Sequence, residues 1–285
     1  MKRFSILLAY VFFPFLSLTI YAQGNKPPAG SLFIIGGGNR SDSMMKQLVK
    51  TADLRANDYI VVLPMASAEP DAGFALISQQ LSKHTNARMR NFDFAKYSDN
   101  KTWVDSLAGA RLIYILGGDQ NRFMKTVLNT PIYNAIHKAY QQGATIAGTS
   151  AGAAVMSRYM ITGRQLRDTV YKETFDKLWS NNVEFAEGLS LLPGVIIDQH
   201  FVKRSRYSRL LSALAEKPDH ICIGIDEGTA IIVHNQQATV TGVSQVLRFD
   251  HADGNSRTAT GLLKFQNIQL GVFVAGDIIS LKPNN

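Results

Sequence analysis

Cysteine is nearly absent from this sequence: Cys222 is the only one in 285 residues. A lone thiol forms no internal disulfide, so the fold cannot be stapled. Histidines and cysteines do not recur at metal-ligand spacing either, since His84, His137, His220, His234 and His251 are scattered. No metal and no cofactor are expected on that ground. Cys222 stands between Ile221 and Ile223 and reads as a core residue. Internal repeats, low-complexity tracts and clear linkers are also missing, so residues 31–285 read as one folded unit. Long apolar runs are absent with one exception, Phe4 to Ile20, which follows Met1-Lys2-Arg3 and precedes Tyr21-Ala22-Gln23. That is the layout of a signal peptide, here residues 1–22, and it implies a secreted or periplasmic chain. The alternative is an uncleaved anchor, because about 17 apolar residues is near the lower limit for spanning. Residues 23–30 read as a flexible lead-in.

Charge of one sign is in modest excess: 30 Lys and Arg against 22 Asp and Glu, a formal net charge of +8. The leader holds two of those bases and no acid. The bases are dispersed apart from one cluster after His200, so neither nucleic acid nor, after leader removal, a membrane is an expected partner.

What is present is an alternation of apolar runs and helical patterns. "SLFIIGGG" (31–38), "DYIVVLPMAS" (58–67), "ARMRNFDF" (87–94), "ARLIYILGGDQ" (110–120) and "ATIAGTSAG" (144–152) read as buried strands, most of them running into turns. Helical patterns lie between them at 41–55, 71–83 and 121–143, the last interrupted before Pro131. This order predicts a three-layer α/β sandwich with a mainly parallel sheet. A strand at 193–201, a helix at 203–216 and strands at 221–225, 229–234 and 238–249 follow. A turn at 251–257 then leads into a β-rich C-terminal part. In parallel sheets chemistry gathers at the carboxyl ends of the strands. Gly36-Gly37-Gly38, Pro64 to Ser67, Gly117 to Gln120 and Gly148 to Gly152 all fall at such ends, which predicts that they share one edge.

Gly148-Thr149-Ser150-Ala151-Gly152 fits the pattern of a nucleophile elbow, in which a serine projects from a sharp strand-to-helix turn. A helix-capping serine is the plainer reading of the same five residues. A serine nucleophile needs a base, and His200, closing the strand "GVIIDQH", is the candidate. The base needs a carboxylate to orient it. Asp226 and Glu227 follow the strand "ICIGI", and because successive strand residues face opposite ways only one of them can serve. Arg204, Arg206 and Arg209 follow His200 and either clamp an anionic group or form a solvated helix face. An esterase of the α/β-hydrolase type shares the elbow, but its order of serine, acid, histidine would require Asp176 or Glu184 as the acid. A binding protein without catalysis is the other alternative.

Taken together, "IIGGG" (34–38), "LPMASAEP" (63–70), "LGGDQNR" (116–122), "GTSAGAAVM" (148–156), "LLPGVIIDQHF" (191–201) and "GIDEGTAIIV" (224–233) resemble the cyanophycinase branch of the S51 serine peptidases. That group also holds aspartyl dipeptidase, or peptidase E. The resemblance implies a class I glutamine-amidotransferase-like (flavodoxin-like) fold, a metal-free mechanism and a possible homodimer. It implies Ser150 as nucleophile, His200 as base and Glu227 as third member, with backbone N–H groups of Gly118 and Ala151 as the oxyanion hole. Gln120, Asp198, Gln199, Arg204, Arg206 and Arg209 match positions lining the substrate pocket, and the implied substrate is a β-aspartyl peptide. Two departures stand out. Ala147 takes the place of a frequent glycine, and residues 164–188 match nothing in the pattern, an insertion able to reshape the pocket.

Overall fold

The computed structural model describes residues 27–97, 100–167, 170, 172 and 174–282. The expected leader, residues 1–22, lies outside them, as do residues 23–26 of the lead-in. Among the described residues no helix is long and apolar enough to cross a membrane.

The first half alternates strand and helix: β1 (Ser31–Ile35), α1 (Asp42–Ala52), β2 (Tyr59–Leu63), α2 (Pro70–Ser82), β3 (Arg88–Asn91), α3 (Lys101–Ala108), β4 (Leu112–Ile115), α4 (Gln120–Val127), α5 (Pro131–Gln141) and β5 (Thr145–Thr149). The helix starts are written in the sequence. The Ser41 side chain accepts the Met44 N–H at α1, and Asp119 accepts two N–H groups at α4. Thr130 caps α5 with Pro131 in its first turn, which is why the long helical pattern breaks there. The helix α3 carried no expectation.

The second half runs α6 (Ala151–Ala154), β6 (Tyr159–Gln165), β7 (Val183–Glu187), β8 (Val195–Gln199), α7 (Tyr207–Glu216), β9 (Ile221–Ile225), β10 (Thr229–His234), β11 (Gln237–Gly242), β12 (Val246–Asp253), β13 (Ser256–Arg257), β14 (Leu263–Lys264), β15 (Asn267–Phe273) and β16 (Ile278–Ser280). The stretch 238–249 is therefore two strands, not one. Gly242 has φ +124° and turns the chain out of the first sheet, so β11 and β12 belong to different sheets. The turn expected at 251–257 is shorter, because β12 continues through Asp253 past an irregularity.

An eight-stranded sheet has the order β16-β11-β10-β1-β5-β4-β2-β3. The five strands from β1 to β3 in that order are parallel, and β10, β11 and β16 join antiparallel. Side chains alternate between its two faces. Phe33, Ile35, Val62 and Tyr114 pack with Met44 and Leu48 of α1 and Ile77 of α2. Leu32, Ile34, Val61 and Ile113 pack on the other side, with Phe123 of α4 and Ile136 of α5. The α/β class and the β-rich C-terminal part are as the sequence predicts.

A second, four-stranded sheet, β15-β12-β9-β8, was not foreseen. Its strand β9 turns Ile221, Ile223 and Ile225 toward the core of the first sheet and Cys222 toward a third cluster with Phe201, Leu210, Leu214 and Phe249. On this side the molecule is thus four layers deep, with α7 outermost.

Candidate active site

The turns after β1, β2, β4 and β5 share the carboxyl edge of the first sheet, as expected, but the candidate base and acid do not arise on that sheet. Ser150 ends β5 of the first sheet, whereas His200 and Glu227 end β8 and β9 of the second. A run of buried apolar residues does not say which sheet it joins. The carboxyl ends of the two sheets nevertheless meet. The hinge between them is the turn after β1, where Ile35 O accepts from Ser150 N (3.0 Å), Gly36 O from His200 N (2.7 Å) and Gly37 O from Gly228 N (2.9 Å).

At this junction Ser150 Oγ lies 2.8 Å from His200 Nε2, and His200 Nδ1 lies 2.7 Å from Glu227 Oε1. An Nδ1–H donated to the carboxylate leaves Nε2 bare to accept the serine proton. The choice between the two acids follows from strand alternation. Asp226 turns inward, where it accepts from Lys203 N (2.8 Å) and Ser244 Oγ (2.6 Å), and Glu227 turns toward the imidazole. The acids of the esterase order are engaged elsewhere: Asp176 pairs with Lys172, and Glu184 with Thr162 and Arg164.

Ser150 has φ +53° and ψ −111°, outside the basins open to an L-residue, a strain on the order of 1–3 kcal/mol. Its flanking glycines relieve crowding in the turn and do not supply positive φ, for neither has it. They permit contact: a Cβ on Gly148 would stand 2.1 Å from Gly152 O, and one on Gly152 would stand 2.4 Å from Ile115 O. The turn after β4 also closes on the serine, with a Cβ on Gly117 falling 3.3 Å from Ser150 Cβ. Among the described residues no turn or loop carbonyl accepts from the Gly118 or Ala151 N–H; Gly118 is exposed and Ala151 is buried.

Electrostatics favour a neutral imidazole. Burial, reinforced by the Arg204 and Arg206 charges, holds His200 below its ordinary value of 6.5, against an opposing pull from Glu227. Among the described residues no cluster of three or more His, Cys, Asp and Glu stands ready for a metal ion. A serine, a neutral base and a carboxylate in line can carry out acyl transfer.

Comparison with known proteins decides the family. Residues 32–241 match the model of peptidase family S51. The chain belongs to peptidase family S51. A cyanophycinase of Nostoc sp. is 31% identical over 259 residues, spanning 86% of this chain and 83% of its own. A peptidase E of Actinobacillus pleuropneumoniae is 28% identical over 153 residues, 51% of this chain and 60% of its own. The crystal structure of a peptidase from an acI-B1 Actinobacterium superposes with a TM-score of 0.63 at 24% identity, over 89% of this chain and 97% of that one. A putative peptidase E protein from Listeria monocytogenes gives 0.54 at 15% identity, over 75% and 99%. The protein is therefore a serine-type peptidase.

The residues expected to line the pocket of this S51 peptidase divide in two. Asp198 is wholly buried, and Arg209, 2% exposed, grips both its oxygens, Nε at 2.9 Å from Oδ2 and Nη2 on Oδ1. Arg209 is thus a carboxylate clamp and no solvated helix face, and the carboxylate it holds is Asp198 of its own chain. Arg206 is equally buried and donates to Gln199 O (2.6 Å) and Gln199 Oε1 (2.9 Å). These four side chains form a framework beneath His200, because a buried charge must be paired and β8 offers Asp198 from below. Arg204 is half-buried beside His200. Gln120 is buried too, its Nε2 donating to Ile161 O and Thr162 O, each at 2.9 Å. That contact brings in the inserted stretch 164–188, whose flanks form the β6–β7 pair and whose Thr174 donates to Ser205 O (2.8 Å) at the foot of α7. Sequence reasoning took Gly37 and Gly38 only as a strand-end turn. Cβ atoms there would meet the His200 ring at 2.3 Å and Glu227 Cβ at 2.7 Å. The repeated glycine was the available signal.

Proposed function

We propose that this S51 peptidase hydrolyses β-aspartyl peptides of the cyanophycin type, as an exopeptidase or dipeptidase, through an acyl-enzyme formed on Ser150. The observation that carries the reading is the relay of 2.8 Å from Ser150 Oγ to His200 Nε2 and 2.7 Å from His200 Nδ1 to Glu227 Oε1. His200 takes the hydroxyl proton as Ser150 attacks the scissile carbonyl, then returns it to the leaving amine. Glu227 fixes the tautomer and stabilises the imidazolium. The N–H groups of Gly118 and Ala151 receive the oxyanion. Arg204, half-buried beside the base, is the arginine of the cluster suited to a substrate carboxylate. The name of the Nostoc relative, a cyanophycinase, supports the substrate class.

The test is hydrolysis of β-aspartyl dipeptides, matched α-aspartyl dipeptides and cyanophycin by the wild type and by Ser150→Ala. The expected result is turnover of β-linked substrates by the wild type, with a loss on the order of 10⁴–10⁶ in the variant. Equal hydrolysis by both proteins would remove Ser150 from the mechanism, and preference for α-linked peptides would remove the substrate assignment. We further propose that residues 1–22 direct export. Amino-terminal sequencing of the chain from fractionated cells tests this, and an intact Met1 in the cytoplasmic fraction would overturn it.

A further inference from the structure

His200 and the residue after it are tied to different sheets. His200 N–H donates to Gly36 O (2.7 Å) at the exit of β1, and Phe201 N–H donates to Ile225 O (3.2 Å) at the exit of β9. His200 is held meanwhile at φ +51°, a left-handed conformation that a histidine keeps only when its surroundings impose it. Both rings are seated on glycine. A Cβ on Gly37 would lie 2.3, 2.6 and 2.8 Å from His200 Cε1, Nε2 and Nδ1. Such similar approaches to three ring atoms mean that the imidazole lies face-on over the Gly37 backbone. A Cβ on Gly224, in the middle of β9, would lie 2.3 Å from Phe201 Cγ and 2.5 Å from both Cδ atoms. The phenyl ring thus rests on Gly224 in the same manner, fully buried and packed edge-on against Tyr207.

We infer that Gly37 and Gly224 are positioning residues for the base: Gly37 sets the plane of the His200 ring, and Gly224 seats Phe201, the anchor that keeps His200 from sliding along the junction. The inference rests on the proposed role of His200. Its physical content is that the approach of Nε2 to Ser150 Oγ is dictated by two missing side chains, one in each sheet. A methyl group at either seat displaces a ring that has no room to retreat, since one ring is fixed by Glu227 and the other is enclosed in the core. A displacement of about 1 Å at a reacting pair costs on the order of 10²-fold in rate.

The test measures the rate at which a fluorophosphonate labels Ser150, which needs no knowledge of the substrate, together with kcat and KM on a β-aspartyl dipeptide. For Gly37→Ala the labelling rate and kcat are expected to fall about 10²-fold with KM within about threefold. Gly224→Ala is expected to lose at least about tenfold, and adding Phe201→Leu, which makes room for the methyl, to restore at least about threefold of that loss. Gly30→Ala is the control. Its Cβ would meet Ala144 O at 2.2 Å at the far end of β1, a comparable clash away from the junction, so it should lower the melting temperature while the folded protein labels at the wild-type rate. Wild-type labelling by Gly37→Ala would overturn the inference. So would a Gly224→Ala deficit that Phe201→Leu leaves unchanged, and that comparison decides alone if Gly37→Ala does not fold. Hydrolysis by Ser150→Ala at the wild-type rate would instead remove the underlying reading. A dead Ser150→Ala beside an unimpaired Gly37→Ala removes only the role given to the glycine seats.

Discussion

Replacing Glu227 with glutamine keeps the shape of the side chain and removes its charge. In the proposed reacting state His200 carries a proton on each nitrogen, and the carboxylate stands against the Nδ1 side at 2.7 Å. Two unit charges centred about 4 Å apart interact by roughly 4 kcal/mol at an effective dielectric constant of 20. The Glu227 side chain is about one-third exposed, so solvent screening reduces this to roughly 2 kcal/mol. Exchanging a charge-assisted hydrogen bond for a neutral one takes about 1 kcal/mol more. At 1.36 kcal/mol per decade the sum corresponds to a fall in kcat/KM on the order of 10²-fold. The pH profile supplies a second, independent sign. Glu227 pulls the His200 pKa upward, so its removal should move the acid limb of kcat/KM to lower pH even as the plateau drops. Steady-state kinetics of Glu227→Gln between pH 5 and 8 on a β-aspartyl dipeptide read both quantities. A plateau within about threefold of wild type, or an acid limb moving upward, would refute the argument that this carboxylate faces the imidazolium in the transition state.

The neighbouring cation should act in the opposite sense: Arg204→Gln is expected to shift the acid limb upward, because the Arg204 charge helps hold His200 low, and an unmoved limb would show that the charge is screened. Asp198→Asn leaves Arg209 and Arg206 buried beside a neutral group. Urea unfolding should then show a loss of about 3–5 kcal/mol, and a change under about 1 kcal/mol would mean the framework carries no net stability. His137, His200 and His220 all lie below their ordinary value of 6.5, chiefly through burial. The unfolded chain therefore binds protons near pH 6.5 that the folded chain refuses, and stability should decline as pH falls below that value. Glu216, whose carboxyl burial pushes up, works the other way, but in the carboxylate range. A urea midpoint equal at pH 7.5 and 5.5 would contradict this.

The centre of the first sheet was legible because β1, β2, β4 and β5 are buried on both faces and so appear as apolar runs ending in special turns. "SLFII" and "LIYI" can hardly be anything else. The division into two sheets was not legible, because Ile197 and Ile223 look the same whichever sheet receives them. The residue types of the site could be read from the elbow, from "DQH" and from "IDE", since each polar group follows an apolar run directly. Their burial could not. Arg206 and Arg209 fall beside Arg204 in sequence, yet they point inward because Asp198, on β8, needs partners. The pair β6 and β7 was missed because its members are half-buried and separated by 17 residues. Gly37 and Gly38 were read as a turn, when their more important property is the surface they leave free for two other side chains.

The proposed nucleophile follows a strand of one sheet and its two proposed helpers follow strands of the other, and the turn after β1 bonds to the backbone beside all three. Reactivity is therefore a gauge of how those two slabs are registered. Under mild denaturant, slippage of a fraction of an ångström between them should silence the enzyme while both slabs are still fully formed, so that turnover fades well before circular dichroism records any loss of structure.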